Sequence, residues 1–451
     1  MATTTARPAL ARPPGPHNPP VVGQLLTYRR DGLGFLLRLA SDYGAIAYCK
    51  IGPRDVYLLD EPDLIKELFV ADERIFPKGL GTDLLQPLLG QGLLTSSGAT
   101  HLRQRRLLQP AFHRARVAAY GAAMVEEAGA TAARWRAGDT FDIHEEMMRL
   151  TLAVVARTLF SADVTSEAPL VAETLDAFMR WWRVLLLPYS PLLQPLPLPV
   201  KRRFLRTRAR LDAFIARLIA ARRADGADRG DLLSMLLLAR DEAGQGMSDA
   251  QVRDEAVTLL LAGHETTANA LTWTWYLLAQ HPAALARLRA ELDEVLAGRP
   301  PAVEDVPRLR YTEMVLSEAM RCYPPVWGTS RRAAEDTTLG GYPLPRGAVV
   351  VVSQYVTHHN PRYYPDPYRF DPERWTPAAR ASRPRFAYFP FGGGTRMCIG
   401  ESFAWLEGIL LLATLAQQWD LSLVPGHPVV PLPLVTLRPK YGVRMTIERR
   451  R

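Results

Sequence analysis

Phe391-Gly392-Gly393-Gly394-Thr395-Arg396-Met397-Cys398-Ile399-Gly400 is the stretch whose reading decides the fold. Three consecutive glycines permit backbone turns that a side chain would forbid. A lone cysteine follows, and directly behind it an apolar helical run extends from Phe403 to Ala416. Cys398 therefore stands at or just before a helix N-terminus. Free backbone N–H groups and the positive end of the macrodipole there favour a thiolate over a thiol. A thiolate in a sheltered, glycine-lined loop is a soft ligand suited to iron. The plainer reading, a small buried cysteine beside a turn, fits most lone cysteines. The spacing of Phe391, Gly394, Arg396, Cys398 and Gly400, with Phe389-Pro390 ahead of them, argues for the ligand.

A second stretch lies far upstream. Ser248-Asp249-Ala250-Gln251 has the spacing of a capping box, and Pro282 lies beyond the other end. Between them the pattern predicts a helix of about 30 residues, roughly 45 Å long at 1.5 Å per residue. Its apolar run Val257 to Ala262 is interrupted by Gly263-His264-Glu265-Thr266-Thr267 and resumes at Ala270-Leu271. A glutamate and two threonines are costly to bury there without partners, and Gly263 weakens the helix by about 1 kcal/mol against alanine. A threonine hydroxyl can bond back to the carbonyl four residues earlier and bend the helix. Local cost without structural gain is where function is expected.

The remaining chain is read in order. Leu33 to Tyr43 is helical, Ile46 to Ile51 and Asp55 to Leu59 form a hairpin around Gly52-Pro53, and Asp63 to Val70 returns to helix. Pro77 to Ser97 has no sustained period, and a loop of that length is usually functional or mobile. His101 and Arg105 share one helix face. Helices occupy 115 to 185, and the apolar segment Leu185 to Val200 carries five prolines, which exclude helix. Glu318 and Arg321 are spaced to pair on a short helix, Tyr311 to Cys322. Thr337 to Val352 reads as a hairpin and strand, and Val429 to Glu448 alternates as strands do. His358-His359 lacks a third ligand at suitable spacing, so a structural role is expected.

The cysteine loop resembles the haem-ligand signature of the cytochrome P450 family. Ala262 to Thr267 resembles that family's oxygen-activation motif, Glu318-x-x-Arg321 its paired helix motif, and Phe370 to Trp375 the partner motif of that pair. The resemblance covers essentially the whole chain. It implies a mainly α fold with a smaller β-rich lobe, and a b-type haem ligated by Cys398 within a loop that includes Phe391 and Gly400. His101, Arg105, Arg331 and Arg396 are implied as propionate ligands. Ala262 and Gly263 would leave room above the porphyrin, Glu265 and Thr266 would relay protons, and Glu318, Arg321 and Arg374 would form a buried triad bracing the cysteine loop. The implied reaction is insertion of one oxygen atom from O2 into a hydrophobic substrate such as a fatty acid, terpenoid or steroid. Electrons would come from NAD(P)H through a separate ferredoxin or flavodoxin and its reductase. The alternatives are a haem-thiolate isomerase or dehydratase and a non-catalytic haem sensor.

Bulk properties bound the rest. The 451 residues carry a net charge of +9, with 48% hydrophobic and 22% charged residues, an ordinary globular composition. Three cysteines, an odd number, argue against a disulfide framework and for a reducing compartment, expected to be the cytoplasm. Basic residues are scattered along helices, so nucleic acid is not an expected partner. Docking of an acidic electron donor is expected instead, on a face holding Arg103, Arg106 and Arg114. Residues 1–20 read as a proline-rich arm and 21–451 as one domain, monomeric and without a transmembrane anchor.

Overall fold

The computed structural model describes residues 12–161, 167–187 and 190–450. By contact the chain divides into two compact units, each assembled from three separated stretches of sequence.

The smaller unit comprises the residues up to Asp83, Gly328–Pro365 and Pro384–Met397. Its four-stranded sheet runs in the order Ile46–Ile51, Arg54–Leu59, Val349–Val352, Thr329–Arg332. Arg54–Leu59 lies parallel to Val349–Val352, and the other pairings are antiparallel. Val349–Val352 is four consecutive β-branched residues, and one face of the sheet buries Tyr57, Leu59, Val350 and Val352 against Ile65, Leu68, Phe69, Phe386 and Phe389. The described part of the arm is tied down. Tyr48 N–H donates to Pro14 O at 2.8 Å, and the Arg12 guanidinium lies 4.8 Å from the Tyr48 ring centre. Residues 1–11 of the expected arm lie outside the described residues.

The larger unit, 84–327, 366–383 and 398–451, is mainly helical. Its long central helix spans Asp249–Gln280, and Ser248 caps it by accepting the Gln251 N–H. The helix packs along Ile143–Phe160, and Thr151 Oγ1 donates to His264 O at 2.9 Å across that contact. Glu401–Ala416 is apolar around most of its circumference and buried from Leu406 onward, as expected of a core helix. Two small sheets complete the unit. Arg444–Arg449 pairs between Thr140–Asp142 and Trp419–Leu423, and Pro431–Pro433 pairs with Leu437–Pro439.

Two loop expectations are corrected. The prolines of 185–200 do not exclude helix, because Ser190–Leu193 is a helical turn and Pro199 opens the helix Pro199–Asp225 at its first position. Proline is tolerated there because that N–H has no helical partner. Residues 84–97 are not loose. Gln91 N–H donates to Asp254 at 2.7 Å and Leu93 N–H to Glu255 at 2.8 Å, which pins the segment to the central helix. Among the described residues, no helix is long and apolar enough to cross a membrane.

Candidate active site

In the smaller unit the cysteine loop is shaped by its glycines. Gly394 has φ +66°, and a Cβ there would stand 1.9 Å from Phe69 O, so no side chain is possible. His358 Nε2 accepts the Phe389 N–H at 3.1 Å, which gives the His358-His359 pair the structural role expected of it. Arg331 and Arg396 both belong to this unit, joined by a residue that sequence reading missed. Lys78 is buried and bridges to Arg331 along the backbone. Burial, then the charge of Arg396, pushes Lys78 down to about 7, and the same two causes pull Arg331 down. Arg396 pairs with Glu73, with Nη2 2.8 Å from Oε2. Three cations therefore stand near Glu73, with Asp83 a weaker acidic neighbour of Lys78, a surplus of positive charge that favours a further anion. A ligand bearing two carboxylates fits that surplus.

The larger unit holds Cys398, His101, Arg105 and the polar turn of the central helix. Cys398 keeps accessible surface even though protein surrounds it closely. Burial pushes its thiol up, against the Gly400 backbone hydrogen bond and the Arg105 charge, which both favour the thiolate. The helix terminus alone therefore does not ionise it; coordination to a metal would, since a bound thiol is deprotonated outright. Gly400 is not needed for space, because a Cβ there would make ordinary 3.9 Å contacts with Cys398 Sγ and Phe112. His101 is buried, one helical turn before Arg105 on Gly98–Leu108.

Along the central helix, His264, Glu265 and Thr267 are buried, whereas Ala262 is exposed and Gly263 and Thr266 are half-buried. This open strip lies midway along a helix that is otherwise largely buried. Thr266 Oγ1 donates to Ala262 O at 2.7 Å, the back-bond expected of it. Gly263 also eases the packing of a neighbouring helix. A Cβ there would lie 3.2 Å from Val155 Cγ2, so the glycine admits the neighbouring helix.

Glu265 does not turn toward Thr266. Adjacent helix residues face different directions, and Glu265 Oε1 is held by Arg438, at 2.7 Å from Nε, and by the Thr436 hydroxyl. Burial alone would raise its pKa, but Arg438 and Thr436 outweigh it and hold the carboxyl below its usual range. Trp327 Nε1 donates to Leu434 O at 2.8 Å, so the turn carrying Thr436 is fixed from its other side. Leu434-Val435-Thr436 stands where the family resemblance places a loop turned into the pocket, whereas Arg438 carries no local signal that would have marked it.

Glu318, Arg321 and Arg374 come together as a buried charged cluster. Arg321 makes a two-pronged pair with Glu318 at 2.8 and 2.9 Å, and Arg374 Nε approaches the same carboxylate at 3.4 Å. Trp375 Nε1 and the Asp371 N–H also donate to Glu318, and Arg321 donates to Pro367 O and Arg369 O. The charges therefore organise 366–375, within the larger unit. Of the three surface arginines, Arg103 is occupied by Asp241 at 2.7 Å and by Gln245 O and Gly246 O; Arg106 meets exposed Glu242 at 3.4 Å.

Comparison with known proteins agrees with this geometry. The Cytochrome P450 family model matches residues 13–445. The chain is 44% identical to cyclooctatin synthase of Streptomyces melanosporofaciens, over 93% of this chain and 92% of that protein. It is 40% identical to cyclooctat-9-en-7-ol 5-monooxygenase of the same organism, over 91% and 90% respectively. Among solved structures, the retinoic acid bound cyanobacterial CYP120A1 superposes with a TM-score of 0.87 at 30% identity, covering 98% of this chain and all of that one. A cysteine at the start of a core helix, an opened polar turn midway along the longest helix, the Glu318–Arg321 pair and near-complete alignment lead to one assignment: the chain belongs to the cytochrome P450 family of oxidoreductases.

Proposed function

We propose that this protein is a haem-thiolate monooxygenase that hydroxylates or epoxidises a hydrophobic terpenoid, with a b-type haem ligated by Cys398. The observation that carries this reading is Cys398 itself, accessible at a helix start and bonded from the Gly400 N–H. When bound, the haem supplies oxygen binding and O–O cleavage, helped by the electron push of the thiolate.

The chain's own residues do the rest. His101, Arg105, Arg331 and Arg396 are the residues that would take the haem carboxylates, for which arginine's forked donors are suited. Phe391 and Gly400 belong to the loop that presents the sulfur. Ala262 keeps the helix surface low for substrate and oxygen, and the Thr266 hydroxyl positions a proton for transfer. Two electrons arrive from NAD(P)H through a separate ferredoxin or flavodoxin and its reductase. The named substrate of the relative, cyclooctat-9-en-7-ol, supports a terpenoid over a fatty acid.

Two measurements test this. Cys398→Ser should abolish the thiolate-type spectrum of the reduced carbon monoxide complex. Terpenoid alcohols supplied with NAD(P)H and surrogate redox partners should yield product one oxygen atom heavier, only when O2 is present. If reductant consumption does not depend on O2, the monooxygenase reading fails.

A further inference from the structure

The hairpin that pairs Pro431–Pro433 with Leu437–Pro439 is poorly equipped to hold itself in place. Its strands are short, and Pro431, Pro433 and Pro439 bring no N–H to the ladder. An isolated two-stranded hairpin is marginal in water even without that loss. Its position is set from outside. Glu265, Asn269 and Trp273 stand at successive four-residue steps on one face of the central helix. Asn269 Nδ2 donates to Thr436 Oγ1 at 3.3 Å, and Trp273 Nε1 to Leu437 O at 2.9 Å. Glu265 accepts from the Thr436 hydroxyl and from Arg438. From the other side, Leu437 N–H donates to Pro325 O at 2.9 Å and Trp327 Nε1 to Leu434 O at 2.8 Å.

Glu265, Asn269, Trp273 and Thr436 are all buried. Apolar residues on that helix face would pack the hairpin with less desolvation cost. What the polar set adds is direction, since a hydrogen bond fixes an angle as well as a distance. The object so held is the loop Leu434-Val435-Thr436 between the two strands. Thr436 is buried against the helix, whereas Leu434 and Val435 keep part of their apolar surface open. Glu265 directly precedes Thr266, so the clamped face lies about 100° round the helix from the strip of Ala262 and Thr266. The loop therefore stands beside that open strip.

We propose that Asn269, Thr436 and Arg438, acting with Glu265, are positioning residues for site selectivity. They hold Leu434 and Val435 at a fixed place beside Thr266, and so set which carbon of an apolar substrate is offered for oxygen insertion. The inference rests on the monooxygenase reading. None of the four needs to touch the substrate, and no bond is made or broken in them. Loosening the clamp lets the loop shift and widens the range of substrate orientations.

Hydrogen exchange and product analysis test this on the haem-loaded chain. Thr436→Val keeps the shape of the side chain and removes its hydrogen bonds, whereas Thr436→Ser keeps the hydroxyl. Exchange of the Leu434 and Leu437 amides should quicken about tenfold in Thr436→Val and stay near the wild type in Thr436→Ser. With a terpenoid alcohol that the wild type oxidises, Thr436→Val should change the ratio of oxygenated regioisomers several-fold, and Thr436→Ser should keep the wild-type ratio. Unchanged exchange in Thr436→Val overturns the clamp. Quickened exchange with an unaltered regioisomer ratio overturns its control of selectivity. Either result, obtained with a wild type that forms product, leaves the monooxygenase reading intact. A wild type that forms no oxygenated product overturns that reading and this proposal with it. Should Thr436→Val not fold, Asn269→Leu, which removes one of the same hydrogen bonds, carries both measurements.

Discussion

Arg438 and Glu265 meet across 173 residues of sequence, the guanidinium Nε and Nη2 both within 2.7 Å of one carboxylate oxygen. This pair decides the charge of the acid in the central helix. Removing one partner of a buried pair typically costs about 3–5 kcal/mol, because the other charge is left uncompensated. Arg438→Met should therefore destabilise strongly, and adding Glu265→Gln should recover much of the loss. Urea unfolding of the two single variants and the double variant measures that coupling. A sum of independent effects would show the contact to be unimportant.

The same pair sets a pH dependence. The Glu265 pKa is lowered in the folded chain, so its contribution to stability is present above the ordinary carboxylate range and is lost as pH falls through the folded value. Arg438→Met should remove that acid-side loss, visible as a flatter dependence of Tm on pH below the ordinary range.

Arg321→Lys should be poorly tolerated despite keeping the charge. A lysine cannot reproduce the two-pronged contact with Glu318 while also reaching Pro367 O and Arg369 O. A loss of at least about 3 kcal/mol is expected, read as a lowered Tm and loss of haem-loaded protein. Wild-type stability would contradict the role given to the triad.

The proposed haem site predicts that Lys78 couples loading to protons. Its folded pKa of about 7 lies below the ordinary 10.5. A base lowered in this way weighs against the folded state fully below about pH 7, and the penalty fades as pH rises toward 10.5. Freed of haem, Lys78→Met should exceed the wild type in stability at pH 6, with the gap narrowed at pH 9 and closed only above the ordinary lysine value. Haem carboxylates restore the charge, so loading at pH 8 should take up a proton in the wild type and none at this position in Lys78→Met. Calorimetry in buffers of different ionisation enthalpy reads the difference.

Gly263→Ala tests the packing role of that glycine. Helix propensity favours alanine by about 1 kcal/mol, but the new methyl meets Val155 at 3.2 Å. Combining it with Val155→Ala should cost less than the two changes added separately. Additivity in the cycle would place the cause elsewhere.

Local structure was legible to within a residue or two in several places. The central helix, the hairpin at Gly52-Pro53, the helix Arg310–Cys322 and the core helix after the cysteine all stand where periodicity and capping residues place them. The candidate residues themselves were legible as motifs. Less legible were their contacts: Glu265 faces Arg438 instead of Thr266, Gly263 faces Val155, and the Glu318 cluster holds 366–375. The loop at 84–97 looked irregular because the groups that order it, Asp254 and Glu255, lie more than 160 residues away in sequence.

By itself the sequence determined the helices and strands, the cysteine at a helix start and the polar break in the longest helix, since these depend on residues within a few positions of one another. Tertiary structure alone decided the state of each buried charge. A carboxyl's proton depends on how dry its site is and which cation the fold brings against it. Glu265 therefore became a paired carboxylate and Lys78 a weakened base.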